Sequence, residues 1–175
     1  MTAPFSLRRL GPDDAEAFRE LRLQALRLHP DCFGASWEEE SEKPLAFFAD
    51  RLEQGWVLGG HLGARLVGVG GLHVQPAAKS RHKGWIWGMY VCAEARRGGL
   101  GRALIAALLR RAEEVVELVH LTVTAGNPAA IQLYAASGFT VYGLEARALK
   151  LTDRYVDELL MVRPARIAPA GPAPA

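Results

Sequence analysis

Residues 96–102 hold three arginines (Arg96, Arg97, Arg102) and three glycines (Gly98, Gly99, Gly101) around Leu100. Glycine lets backbone amides converge on one point, and guanidinium groups present paired donors that match phosphate oxygens. An apolar segment ending at Val91 precedes this loop, and Ala103, Leu104, Ala106, Ala107 and Leu108 after it favour a helix. The unpaired amides and dipole of a first helical turn add to the same attraction for negative charge. The chemistry this suits is phosphate binding, against the plainer alternative of arginines on a solvated helix start. No G-x-x-x-x-G-K-[ST] and no G-x-G-x-x-G opening a βαβ unit is present.

A second ordered set reads Asn127-Pro-Ala-Ala-Ile-Gln-Leu-Tyr134-Ala-Ala-Ser-Gly138-Phe139. Asn127 suits a helix cap with Pro128 at the first position, Ile131, Leu133 and Tyr134 suit a buried side, and Gly138 suits a left-handed stop. Alone this is a capped helix. Together with Arg96-x-x-Gly99-x-Gly101 after an apolar strand, it resembles the acyl-CoA signature and the N-x-x-A-x-x-L-Y-x-x-x-G-F element of the GNAT superfamily of N-acetyltransferases. Arg97 and Gly98 depart from the commoner R-G-x-G-x-G form by moving one glycine a place along. The resemblance is specific over residues 84–139; elsewhere Glu145-x-Arg147 and a hairpin ending near Met161 look similar.

The resemblance implies acetyl-CoA as cosubstrate. Its pyrophosphate would lie on Arg96, Arg97, Gly98, Gly99, Leu100, Gly101 and Arg102, and its pantetheine arm beside Met89, Tyr90 and Val91. Asn127 would meet the arm or nearby backbone besides capping its helix. Acetyl transfer needs a neutral amine, a donor to the carbonyl oxygen and a proton for the departing thiolate. Tyr134 matches the position from which many family members give that proton, with packing alone as the alternative role. A backbone N–H among residues 89–91 is the simplest oxygen donor. No base is assigned: residues 85–92 contain no carboxylate, Glu94 just past them reads equally as an exposed loop acid, His73 and His120 are candidates with a structural role as the alternative, and deprotonation through water helped by Glu38, Glu39, Glu40 or Asp157 is equally consistent. The implied activity is acetyl transfer by direct attack of a primary amine, carried by a small molecule or a protein amino group. A noncatalytic acyl-CoA-binding sensor or interaction module of the same fold is the alternative. A covalent relay through Cys92 is set aside because nothing fixes a histidine beside it.

The chain has 175 residues, 50% hydrophobic and 23% charged, with a net charge of +2. That is the size of one domain with a sizeable core, expected over residues 1–164, followed by a flexible, low-complexity tail over residues 165–175. Nearly balanced charge and the lack of a basic run disfavour nucleic acid and membrane surfaces as partners. The five histidines show no metal-ligand spacing, and the lone Cys32 and Cys92 fit a reduced, cytoplasmic setting. Whether exposed strand edges pair into a homodimer stays open.

Hydrophobic periodicity supplies the elements that would position these groups. A first strand is expected over residues 5–10, then an amphipathic helix with Ala15, Phe18, Leu21, Ala25 and Leu28 on its buried stripe and Arg22 off it. Residues 31–43 read as a loop with a solvated acidic run, and residues 44–53 as a short helix. A hairpin over residues 56–74 turns at Gly63-Ala64. Residues 85–91 form an apolar run typical of a strand covered on both faces, in which Gly88 suggests a bulge and Trp85 and Trp87 suit core packing. A helix from 99 to 114, a strand from 118 to 124, the Asn127 helix and a closing hairpin (139–149, 155–162) complete the chain. The fold class is α/β of the α+β type: a GNAT-like mixed, mostly antiparallel sheet flanked by helices, in the order β-α-α-β-β-β-α-β-α-β-β.

Overall fold

The computed structural model describes residues 5–166. Seven strands, β1 (Phe5–Arg9), β2 (Trp56–Leu62), β3 (Arg65–Val74), β4 (Lys83–Val91), β5 (Leu118–Thr124), β6 (Thr140–Lys150) and β7 (Tyr155–Pro164), form one sheet in the order β1-β2-β3-β4-β5-β7-β6. Every neighbouring pair is antiparallel except β4 with β5. The helices are α1 (Ala15–Leu28), α2 (Trp37–Ser41), α3 (Leu45–Gln54), α4 (Leu100–Val115) and α5 (Pro128–Ala136). The expected mixed, mostly antiparallel sheet flanked by helices is therefore present.

Helix α4 buries Leu100, Leu104, Ile105, Leu108 and Ala112 against the first half of the sheet. Close approach is possible because the facing positions are glycines: a Cβ on Gly60 would lie 2.5 Å from a Leu100 methyl, and one on Gly68 2.9 Å from the other. Helix α1 buries Ala15, Phe18, Leu21 and Ala25 as its periodicity predicts, but Leu28 is 59% exposed and Arg22 is buried. Segment 31–43 explains the exchange. It is not a plain loop: Ser36 caps α2 by accepting from the Glu39 N–H at 3.2 Å, and α2 turns Glu40 inward. Glu40 takes Arg22 Nε at 3.0 Å and Arg22 Nη2 at 3.1 Å, and Arg51 from α3 joins at 3.2 Å. A charge off the apolar stripe is buried because a fixed carboxylate meets it.

Two features shape the middle of the sheet. Gly88 has φ +64, and the β3–β4 register slips there, with Val69 opposite Tyr90 and Gly71 opposite Trp87. This is the expected bulge. Beyond it β4 has no partner on its other side, because β5 pairs only through Leu118, Val119 and His120, opposite Lys83, Gly84 and Trp85. The two strands then diverge and β5 continues along β7. For this reason β4 is not covered on both faces: Ile86 and Tyr90 are buried, whereas Trp85, Trp87 and Met89 are only half-buried.

The chain stays packed past residue 164. Ala165 is fully buried with its N–H donating to the Glu117 carbonyl at 2.8 Å, and Arg166 Nε donates to the Glu113 carbonyl at 3.0 Å. The remaining tail, residues 167–175, lies outside the described residues.

Candidate active site

The loop after β4 adopts the backbone that its glycines suggest. Gly99 caps α4 at φ +86 with open space where a Cβ would stand, and Arg97 also has positive φ, at 63°. Left-handed residues interleaved with ordinary ones aim neighbouring N–H groups at one point, and those of Leu100, Gly101 and Arg102 precede the first intrahelical bond. The Ala103 N–H is the first to close it, onto the Gly99 carbonyl at 3.0 Å. Arg97 and Arg102 are exposed beside this point. Arg96 does something different from the other two: its Nε donates to the Val91 carbonyl at 2.9 Å, and its Nη2 lies 3.1 Å from His29 Nε2. It ties the loop to the end of β4.

Where β4 and β5 part, a cleft of about 270 Å³ opens. Trp85, Trp87, Gly88 and Met89 line it from β4, Thr122 and Thr124 from β5, and Glu158 from β7. Helix α5 supplies Asn127 and Tyr134, and the segment after α1 supplies Cys32 and Phe33. Trp85 and Trp87 thus both reach the cleft; Trp87 also packs against the core as expected, whereas Trp85 does not. Trp87 lies flat over Gly71, where a Cβ would come within 2.4 Å of the indole.

Asn127 holds its expected cap, accepting from the Ala130 N–H at 3.1 Å, and its Nδ2 reaches Cys32 Sγ at 3.7 Å. Tyr134 is buried, with Phe139 edge-on at 6.1 Å between ring centres. Burial, with Cys32 beside it, pushes its hydroxyl up to about 12. Burial likewise pushes the Cys32 thiol up, helped by Asp31, so it stays a neutral thiol.

The other groups considered as bases are occupied elsewhere. Glu94 pairs with Arg65, Glu40 sits in the Arg22 pair, and Glu38, Glu39 and His73 are exposed. His120 stacks on the outer side of Trp85 at 4.9 Å and 25°, and burial with Lys83 and His82 nearby keeps its imidazole neutral. The Asp157 carboxylate accepts the Arg147 N–H at 2.7 Å and holds the β6 bulge, where Arg147 has φ 55. Cys92 is buried with its Sγ 3.9 Å from the Gln24 amide oxygen. The carboxylate that does line the cleft is Glu158, which sequence reasoning passed over in favour of its neighbour. Strand alternation offered the signal: in β7 residues 157 and 159 share one face and 158 the other. No group of three metal-ligating side chains occurs among the described residues, nor does any helix there suit a membrane span.

The model of the Acetyltransferase (GNAT) family matches residues 22–139. A GNAT-family acetyltransferase from Streptococcus pneumoniae superposes with a TM-score of 0.78 at 21% identity, covering 92% of this chain and 99% of its own. A putative acetyltransferase, yncA, from Salmonella typhimurium, solved with acetyl-CoA, gives 0.78 at 21% identity, covering 97% and 99%. The ribosomal-protein-S18-alanine N-acetyltransferase from Escherichia coli gives 0.70 at 22% identity, covering 95% and 97%. No curated protein matches the chain. The matched model spans the parted strands, the glycine loop and the Asn127 helix, and the chain belongs to the GNAT family of acetyltransferases.

Proposed function

We propose that this chain is an acetyl-CoA-dependent N-acetyltransferase that acts on a primary amine by direct attack, without a covalent enzyme intermediate. The observation that carries the reading is the parting of β4 from β5, with an anion cradle at the outer end and a buried tyrosine in the cleft. The residues fit the cosubstrate on three counts. The loop of Arg97, Gly98 and Gly99 opens α4 with amides in reach of a pyrophosphate, and Arg102 adds charge. On the side that β5 leaves unpaired, the backbone of residues 89–91 offers groups to an extended amide-bearing arm, as an added strand would, apart from the Val91 carbonyl that Arg96 holds. Asn127 closes the far side from the start of α5.

Acetyl-CoA supplies the activated acyl group. The chain supplies positioning and protons. A backbone N–H on the β4 edge is the donor to the acetyl oxygen, where it acts in a cleft partly screened from water. Tyr134, protonated throughout the neutral range, is the donor towards sulfur. Its hydroxyl at about 12 is too weak an acid to protonate a free thiolate fully, so the proton moves as the C–S bond breaks.

The test is calorimetric titration of the folded protein with acetyl-CoA and CoA, followed by thiol release with a panel of primary amines. Saturable binding near one cosubstrate per chain with amine-dependent release supports the reading. Binding without release from any amine makes the chain an acyl-CoA-binding module, and no binding refutes the cosubstrate.

A further inference from the structure

Glu158 is a carboxylate in the cleft without a cation. Among the described residues it enters no ion pair, and the β6–β7 register sets a second carboxylate, Glu145, directly opposite it. Placing two like charges across a strand pair is unfavourable, and half-burying one of them adds to the penalty. The other charged group lining the cleft, Arg22, is already matched by two bonds to Glu40. Trp85, Trp87 and Phe33 line the same cleft, with His120 stacked on one side of Trp85, Arg51 5.4 Å from the Trp87 ring and Arg22 5.1 Å from the Phe33 ring. An unmatched carboxylate in an aromatic-lined cleft, whose one lining cation is already paired, suits an organic ammonium better than an anion.

We propose that Glu158 receives the acceptor amine as its ammonium, against Trp85 and Trp87, and takes from it the proton that must leave before attack. The proposal rests on the acetyltransferase reading and supplies the base that the reading lacks. The substrate class follows: a primary ammonium on an apolar or aromatic body with no negative charge beside the nitrogen. Protons balance as follows. One proton of the ammonium goes to a Glu158 oxygen and then to water, freeing the lone pair that forms the N–C bond as the C–S bond breaks. A second replaces the proton that Tyr134 gives to sulfur, and the third stays on the amide nitrogen.

The groups facing Glu158 support the assignment. Glu145 comes from β6, the Thr122 and Thr124 hydroxyls from β5, Tyr134 from α5, and Cys32 and Arg22 from across the cleft. Burial and the Glu145 charge push the Glu158 carboxyl up, while Thr122 opposes them. A carboxylate moved towards neutral pH is a better base than an ordinary one.

The experiment uses the full chain saturated with S-ethyl-CoA, a thioether that cannot transfer, and 2-phenylethylamine as the probe, with 2-phenylethanol as its uncharged counterpart. Calorimetry should show amine binding at least about tenfold tighter than the alcohol, with about tenfold loss in Glu158→Gln and unchanged S-ethyl-CoA affinity. With acetyl-CoA, kcat in Glu158→Gln should fall about 100-fold or more and lose its acid limb, and Glu158→Asp should restore part of it. The exposed Glu145→Gln should shift that limb to lower pH, a check that does not depend on how Glu158 variants fold. Equal amine binding in Glu158→Gln, an acid limb that survives there or stays put in Glu145→Gln, or no amine binding by the wild-type complex overturns the proposal. Failure to bind S-ethyl-CoA is a separate result, and it overturns the acetyltransferase reading itself.

Discussion

Replacing Tyr134 by phenylalanine separates chemistry from packing at this site. The ring is buried against Phe139, and its hydroxyl has no hydrogen-bond partner among the described residues. Removing the oxygen therefore strands no buried group, and the expected stability change is under about 1 kcal/mol, or less than about 4 °C in Tm. The catalytic loss is set by how good an acid the phenol is. Its rise from 10.0 to about 12 makes the phenolate roughly 2.7 kcal/mol harder to form than in water. Against a thiol of about 8.5, complete transfer to a free thiolate is uphill by roughly 5 kcal/mol. A donor so mismatched works at the low end of general-acid catalysis, so Tyr134→Phe should lower kcat about 100-fold. Acetyl-CoA affinity should stay within about twofold, since only uniform binding would alter it. The assay is thiol release at saturating amine, with calorimetry and a melting curve on the same preparation. An unchanged kcat, or a loss that follows a fall in Tm, refutes the acid role. An alkaline limb near pH 10 that vanishes in the variant would keep the acid role and refute only the upward shift that burial gives the phenol.

Two further substitutions test the frame of the site. Glu40→Ala leaves Arg22 buried without its bidentate partner, and urea unfolding should show a loss of about 3–5 kcal/mol; a loss below about 1 kcal/mol would mean that water reaches the guanidinium. Gly99→Ala introduces no clash, since the space is open, so its effect is the strain of φ +86 on an L-residue. Denaturation should register about 1–2 kcal/mol, with weaker acetyl-CoA binding by calorimetry as the helix start shifts, and unchanged values for both would refute the cradle.

The glycine loop, the Asn127 cap, the hairpins and the Gly88 bulge were legible because each rests on local chemistry: a positive φ, a capping side chain, a tight turn. The misreadings share a different cause. Arg22, Glu40 and Leu28 were placed by periodicity, which assigns polar residues outward. A bidentate ion pair between segments 18 residues apart lies outside any such window. Trp85 sits in an apolar run that would be core if β5 stayed alongside β4, and no local signal marks where two strands part. Glu158 was missed because its partners are long-range: Glu145 across a hairpin and Tyr134 from another helix. Its immediate neighbour Asp157 carries the same charge on the opposite face, where it serves the backbone of Arg147.

The three paired positions between β4 and β5 also define a mechanical joint. Strands β1 to β4 form one wing of the sheet and β5 to β7 the other, and the ladder between the wings ends at Trp85 and His120, whose rings stack across it. Residues 86–91 then run on for about 20 Å at the usual rise per residue, held to β3 on one side and unpaired on the other. The two wings meet through the shortest ladder in the sheet, so the width of the cleft answers to joint residues such as Gly84, Leu118 and Val119 that do not line it.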